Sequence, residues 1–300
     1  MEKRILGRTG LEVSVIGFGA MTIGGAFGPV DDDESARALH AAIDSGMNFI
    51  DTSDAYGGGR SEKVIGGFLK ERSDRDDILV FTKGGNNMST GQTDFTPEYI
   101  ANTLDGSLRR LGVTPALYLL HNPNEDNLIA EDSYAFLERA TEAGKIRNWG
   151  VSVNTVAECD RAISQNKPSV IQMEYSVVAQ EAADSFARAK AAGVGVISRM
   201  PLKRGFLSGN IDETSEFAEG DRRKNMFSPE NIHALRGKLN GLRAEADQLG
   251  ITSAAAALRF CVSNPNVSCV LPGIRTAEQS IHNASSGQPL PIEVVRRLQD

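Results

Sequence analysis

The feature that most constrains this chain is an alternation. Short apolar runs and stretches with apolar residues at helical spacing follow one another, almost unbroken, from residue 15 to residue 284. The runs 15–19, 47–51, 78–83, 117–121, 149–152, 170–175, 195–199 and 267–271 read as buried strands. The stretches 35–45, 61–70, 96–111, 131–143, 155–164, 181–192, 235–249, 253–261 and 276–284 read as helices. Boundary signals agree with this pattern. Thr96 precedes Pro97 at a helix start, Gly112 closes the same helix, and Ser61 is placed to cap the helix that follows it.

Repeated strand–helix units imply parallel strands joined by right-handed crossovers. An open doubly wound sheet would carry a G-x-G-x-x-G turn after its first strand, and Gly17-Phe18-Gly19-Ala20-Met21-Thr22 lacks the third glycine. Eight units in 300 residues fit a closed (β/α)8 barrel, with residues 1–300 forming a single domain. Two segments lie outside the repeat. Residues 4–14 pattern as a β-hairpin, and residues 205–231, after the seventh strand, form a long polar loop. The tail after residue 287 is short, with a helix expected over 292–298 on the outside of the barrel.

Composition narrows the functional classes. There is no apolar run of membrane-spanning length and no apolar region behind the N-terminal Met1-Glu2-Lys3-Arg4, so neither a transmembrane helix nor a secretory signal is expected. A net charge of −7 disfavours nucleic-acid partners. The three cysteines form no C-x-x-C pair and point to a reducing, cytoplasmic setting. The four histidines stand in no metal-ligating spacing, so no metal is expected.

In such a barrel the chemistry sits at the C-terminal ends of the strands. Those ends carry Asp51 followed by Tyr56, then Lys83, His121, Ser152, Gln172 and Arg199. Any one of them is an ordinary loop residue. Titratable Asp, Tyr, Lys and His gathered at three successive strand ends are not.

These segments resemble the aldo-keto reductases. Phe49-Ile50-Asp51-Thr52-Ser53-Asp54-Ala55-Tyr56-Gly57 is similar to the family's catalytic segment. Phe81-Thr82-Lys83-Gly84 and Leu119-Leu120-His121-Asn122-Pro123 are similar to its lysine and histidine segments. The resemblance runs over nearly the whole chain. It implies NADPH-dependent reduction of an aldehyde or ketone to an alcohol, with a small-molecule carbonyl as substrate. Tyr56 is then the proton donor. Lys83 lowers the Tyr56 pKa from about 10, Asp51 orients Lys83, and His121 hydrogen-bonds the carbonyl oxygen.

The resemblance also implies a cofactor set. Ser152 and Gln172 hold the carboxamide, with Val153 standing where the family has asparagine and Asn154 one residue later. Arg199 replaces a stacking aromatic, either lying on the nicotinamide or binding an anionic group. Pro201, Leu202, Lys203, Arg204 and Gly205 approach the pyrophosphate through backbone N–H groups and cations. The 205–231 loop closes over the cofactor. Gly273, Arg275, Gln279 and Asn283 surround the adenosine end, and Arg275 favours NADP over NAD by gripping a 2′-phosphate. A cofactor-sensing regulatory protein on the same fold is the alternative. Potassium-channel beta subunits are the precedent.

Overall fold

The computed structural model of the chain describes residues 1–299 apart from 88–89, 126–127, 129–130 and 218. An N-terminal hairpin pairs β1 (Lys3–Ile5) with β2 (Glu12–Ser14) in antiparallel register. A parallel sheet follows: β3 (Phe18–Gly19), β4 (Phe49–Asp51), β5 (Leu79–Gly84), β8 (Leu117–His121), β9 (Trp149–Ser152), β10 (Val170–Glu174), β11 (Gly195–Arg199) and β12 (Cys269–Leu271). A short ribbon, β6 (Asn86–Asn87) with β7 (Gln92–Thr93), interrupts the third crossover.

Neighbours in this sheet are neighbours in sequence, as right-handed βα repetition requires. Closure is made where β3 meets β12. Gly17 N–H donates to Val270 O, and Gly19 N–H to Pro272 O, each at 3.0 Å. A Cβ at Gly19 would stand 2.5 Å from Pro272 O, so only glycine allows the seam to shut.

Helices α1 (Asp32–Asp44), α2 (Arg60–Glu71), α3 (Pro97–Leu111), α4 (Glu131–Glu142), α5 (Val156–Gln165) and α6 (Ala183–Ala191) follow the first six barrel strands. Two helices, α7 (Pro229–Leu249) and α8 (Ser253–Ser263), lie between β11 and β12. Helices α9 (Ala277–Ala284) and α10 (Ile292–Gln299) end the chain. Local caps explain most boundaries. Thr96 Oγ1 accepts from Tyr99 N–H with Pro97 behind it, and Thr155 with Glu158 forms a reciprocal capping box.

Among the boundaries that differ from the sequence reading, two bear on the site. Ser61 does not cap α2; Gly59, with φ at 90°, does. The Ser61 hydroxyl instead meets Thr52 Oγ1 at 2.8 Å and Ala20 O at 3.1 Å, tying α2 to the strand ends. Helix α7 starts at Pro229, not 235, because Ser228 Oγ caps Asn231 N–H and Pro229 occupies the first turn. The long loop, expected to run to residue 231, loses its last three residues to this helix.

Period-2 alternation sorts each strand. Leu6, Leu11, Val13, Phe49, Leu79, Phe81, Leu117, Leu119, Val170, Ile197, Cys269 and Leu271 form the barrel's inner core, with the hairpin as its bottom plug. Leu6, Leu11 and Val13 are each at most 6 % exposed, worth about 1.5–3 kcal/mol apiece. Gly7, at φ 52°, lets the plug approach Gly195; a Cβ there would lie 2.2 Å from Gly195 N. The same alternation carries past this core to Asp51, Lys83, His121, Gln172 and Arg199, which turn inward at the opposite end. Trp149 packs in the wall against Tyr134, ring centroids 4.9 Å apart. Helix α10 docks on the outside, where Arg297 makes two bonds to Glu245 at 2.6 and 2.8 Å.

Candidate active site

A cavity of about 920 Å³ opens at the C-terminal ends of the strands. Its floor is a hydrogen-bonded cluster. Lys83 Nζ pairs with Asp51 Oδ1, donates to Thr52 O at 2.8 Å and lies 3.3 Å from the Tyr56 hydroxyl. The same ammonium lies 5.0 Å from the centre of the Tyr56 ring. Gln172 Nε2 donates to Asp51 Oδ2 at 2.7 Å, so both carboxylate oxygens are taken. The His121 ring stands edge-on to Tyr56, centroids 5.8 Å apart and planes at 83°. Lys83 is 0 % exposed and Asp51 2 %.

The neighbouring registers account for this meeting. Asp51 pairs with Phe81 across β4–β5, Lys83 with Leu119 across β5–β8, and His121 with Ser152 across β8–β9. Tyr56 arrives from the loop after β4. There Tyr56 N–H donates to Ser53 O at 3.1 Å and Ser61 N–H to Tyr56 O at 3.2 Å.

The electrostatics differ from the sequence expectation at one point. Burial raises the Tyr56 pKa, and Lys83 lowers it; burial prevails, so the phenol sits above 10 rather than below it. Burial lowers the Lys83 pKa, but attraction from Asp51 and Tyr56 outweighs it, so Lys83 titrates above 10.5 and stays charged. Burial, together with Lys83 and Arg199, holds His121 well below 6.5, so the imidazole is neutral.

The upper wall is built differently. Ser152 Oγ donates to Asn122 Oδ1 at 3.1 Å, and Asn122 stands in left-handed backbone at φ 58°. Arg199 is held by Val153 O at 3.0 Å and Asn154 Oδ1 at 2.8 Å, while its Nε is buried without a hydrogen-bond partner. Met200, Lys203 and Arg204 all have positive φ, each costing on the order of 1–3 kcal/mol in a non-glycine. Arg275 reaches Phe27 O at 3.3 Å and Pro29 O, and its own N–H donates to Gln279 Oε1 at 2.8 Å. Gly273 and Asn283 face the cavity beside it.

Lys203 departs from the expectation. Its ammonium pairs with Glu174 at 2.6 Å, because positive φ at Lys203 turns the chain toward the end of β10. The Lys203 and Gly205 N–H groups are also engaged, by Met200 O and Leu202 O, so the turn is closed on itself. Pro201, Leu202, Arg204 and Gly205 do line the cavity.

Sequence reasoning weighed the run Glu219-Gly220-Asp221-Arg222-Arg223 as a latch of the closing loop or a solvated charge cluster, and did not count its two arginines among the cofactor-binding residues. Arg222 and Arg223 of the long loop line the cavity with Arg199, Arg204 and Arg275, against the carboxylates of Asp51 and Glu278. Arg222 N–H donates to Ala26 O at 3.3 Å, and the Arg223 guanidinium lies 5.4 Å from the Phe27 ring centre. Asp221 holds Arg223 at 2.6 Å. The run Asp221-Arg222-Arg223 was the available signal, but its charge alone does not distinguish a cavity wall from a solvated cluster. Among the described residues no helix is long and apolar enough to cross a membrane.

A family model described as the Aldo/keto reductase family matches residues 15–300. The chain is 30 % identical to a probable voltage-gated potassium channel subunit beta of Oryza sativa subsp. japonica, covering all of this chain and 96 % of that protein. It is also 30 % identical to the aldo-keto reductase yakc [NADP(+)] of Schizosaccharomyces pombe, over 88 % of this chain and 80 % of the other. Among solved structures, the holo form of aldo-keto reductase AKR11C1 from Bacillus halodurans superimposes with a TM-score of 0.83 at 27 % identity, covering all of this chain and 95 % of that one.

Proposed function

The chain belongs to the aldo/keto reductase family, and we propose that it is an NADPH-dependent oxidoreductase that reduces an aldehyde or ketone to an alcohol, residues 1–300 acting as one barrel domain. The observation that carries the reading is the floor of the cavity. A neutral phenol, a buried ammonium and a neutral imidazole converge there, 3.3 Å separating the first two.

The residues lining the upper wall suit a phosphate-bearing dinucleotide. Arg204, Arg222, Arg223 and Arg275 supply charge in a chain whose net charge is −7. Arg199, with its orphaned Nε, offers a flat, partly buried guanidinium to the cavity. Ser152, Gln172 and Asn154 supply polar groups beside it. A bound nicotinamide supplies hydride to the carbonyl carbon.

This chain's own residues handle the oxygen. The Tyr56 hydroxyl donates its proton to the oxygen as negative charge develops there. Lys83 stabilises the phenolate left behind, and Asp51 keeps Lys83 charged and aimed. Gln172 in turn fixes Asp51. His121, being neutral, orients the oxygen by a hydrogen bond rather than by charge. The test follows NADPH absorbance with 4-nitrobenzaldehyde in wild type and Tyr56→Phe. Turnover by the wild type and its loss in the variant support the assignment; a variant with near-normal turnover overturns the proton donor.

The likeness over the whole chain to the rice protein favours a second reading, a cofactor-sensing binder on the same fold. Tight NADPH binding without turnover across an aldehyde panel would favour it.

A further inference from the structure

Ser53 Oγ is a crossing point beside the cavity. It accepts the Ala55 N–H at 3.1 Å and lies 3.0 Å from Asp54 Oδ1, 3.3 Å from Lys83 O and 3.1 Å from His121 Nδ1. A serine hydroxyl has one proton and two lone pairs. Its single proton therefore cannot serve Asp54 and His121 together.

Two proton arrangements satisfy every group. With Asp54 ionised, Ser53 donates to the carboxylate. His121 Nδ1 must then be the donor to Ser53 Oγ, which leaves Nε2 bare. With Asp54 protonated, the acid donates to Ser53 Oγ and Ser53 donates to Nδ1, so the ring proton sits on Nε2. In both arrangements the Ser53 lone pairs take Ala55 N–H and one other donor. Passing from the second to the first releases one proton overall. The acid proton moves to Ser53 as the Ser53 proton moves to Nδ1, and the Nε2 proton leaves.

We infer that Asp54, acting through Ser53, is a positioning residue that sets which nitrogen of His121 bears the proton, and so whether His121 meets the cavity as a donor or an acceptor. The inference rests on the reading of His121 as the group that faces the carbonyl oxygen. The carbonyl oxygen needs a donor there, and the proton of the alcohol belongs to Tyr56, so the pair sets the pH range in which His121 can serve the reaction.

The surroundings put the change in an accessible range. Burial, then the charge of Glu62 on α2, pushes the Asp54 carboxyl up to about 6, against Ser53, the Ala55 backbone and Arg110 on α3. Tyr99 on α3 and Tyr118 on β8 also face Asp54. His121 is faced by Lys83 of β5, Arg199 of β11 and Tyr56, and stays uncharged. Across pH 5 to 8 its tautomer changes, not its charge.

The experiment is imidazole ¹⁵N NMR of the full chain without substrate, with the His121 signal identified by its loss in His121→Gln. The expected wild-type result is Nε2–H at low pH and Nδ1–H at high pH, with a midpoint near 6. Asp54→Asn and, separately, Ser53→Ala are expected to abolish that midpoint, the other histidine signals reporting that the fold survives. In Asp54→Asn the pH profile of carbonyl reduction also loses its step near 6. One tautomer throughout in wild type, or a midpoint that persists in either variant, overturns the inference. The NMR readout needs no turnover, so it stands or falls apart from the proposed reaction.

Discussion

The floor and the upper wall of the cavity are organised in opposite ways. On the floor the charges answer one another: Asp51, Lys83, Tyr56 and Gln172 are buried, and their polar atoms meet across successive strand ends. On the wall, Arg275 is held by backbone carbonyls and Arg223 by a neighbouring aspartate, and the loop after β11 carries positive φ at Met200, Lys203 and Arg204. A self-satisfied floor can direct a proton without rearranging. An arginine that rests on carbonyls, as Arg275 does, can exchange those weak partners for phosphate oxygens. On the proposed function, the difference separates groups that do chemistry from groups that hold a ligand.

The contrast is broken most severely at Tyr56. Tyr56→Phe is expected to lower kcat by about 10²–10⁴-fold while leaving NADPH affinity near wild type, measured by turnover and by fluorescence titration. Lys83→Met strands Asp51 as an unpaired buried charge. It should cost about 3–5 kcal/mol of unfolding free energy in denaturant titrations, beyond its effect on rate. No wall arginine should show a stability loss of that size.

The wall is probed by affinity. Arg275→Ala is expected to weaken NADPH by about 1.5–3 kcal/mol, a factor of ~10–150, and NADH far less. Equal wild-type affinity for the two cofactors would remove the preference for NADP. Asp221→Ala frees Arg223 and should raise the NADPH off-rate several-fold with little change in the chemical step, read by stopped-flow fluorescence.

The smallest effect concerns Asp54. Its carboxyl binds a proton more tightly in the folded chain, at about 6, than in the unfolded one, near 3.8. Stability is therefore full below the unfolded value and falls as pH rises through the folded one. Asp54→Asn removes this loss. Relative to wild type it should gain about 1.4 kcal/mol more at pH 8 than at pH 5, measured by urea unfolding.

How far each region could be read in the sequence follows the same division. Strands β8, β9 and β11 end where the apolar runs end, because a buried parallel strand is apolar along its whole length. Once the strand ends were known, alternation delivered Asp51 and His121 to one cavity and Lys83 to the layer beneath it. The wall resisted reading. Lys203 looked like one more cation, yet it answers Glu174, a residue from another strand. Arg222 and Arg223 lie far in sequence from Phe27 and Arg275, and only loop closure brings them together.

The sequence by itself determined the barrel, the N-terminal hairpin and the strand ends that carry Asp51, Lys83 and His121, since these depend on short-range periodicity and on residue type at a strand end. The tertiary structure alone decided their proton states. Burial outweighs the Lys83 charge at Tyr56 and keeps His121 neutral. Desolvation depends on everything packed around a group, and no local pattern records it.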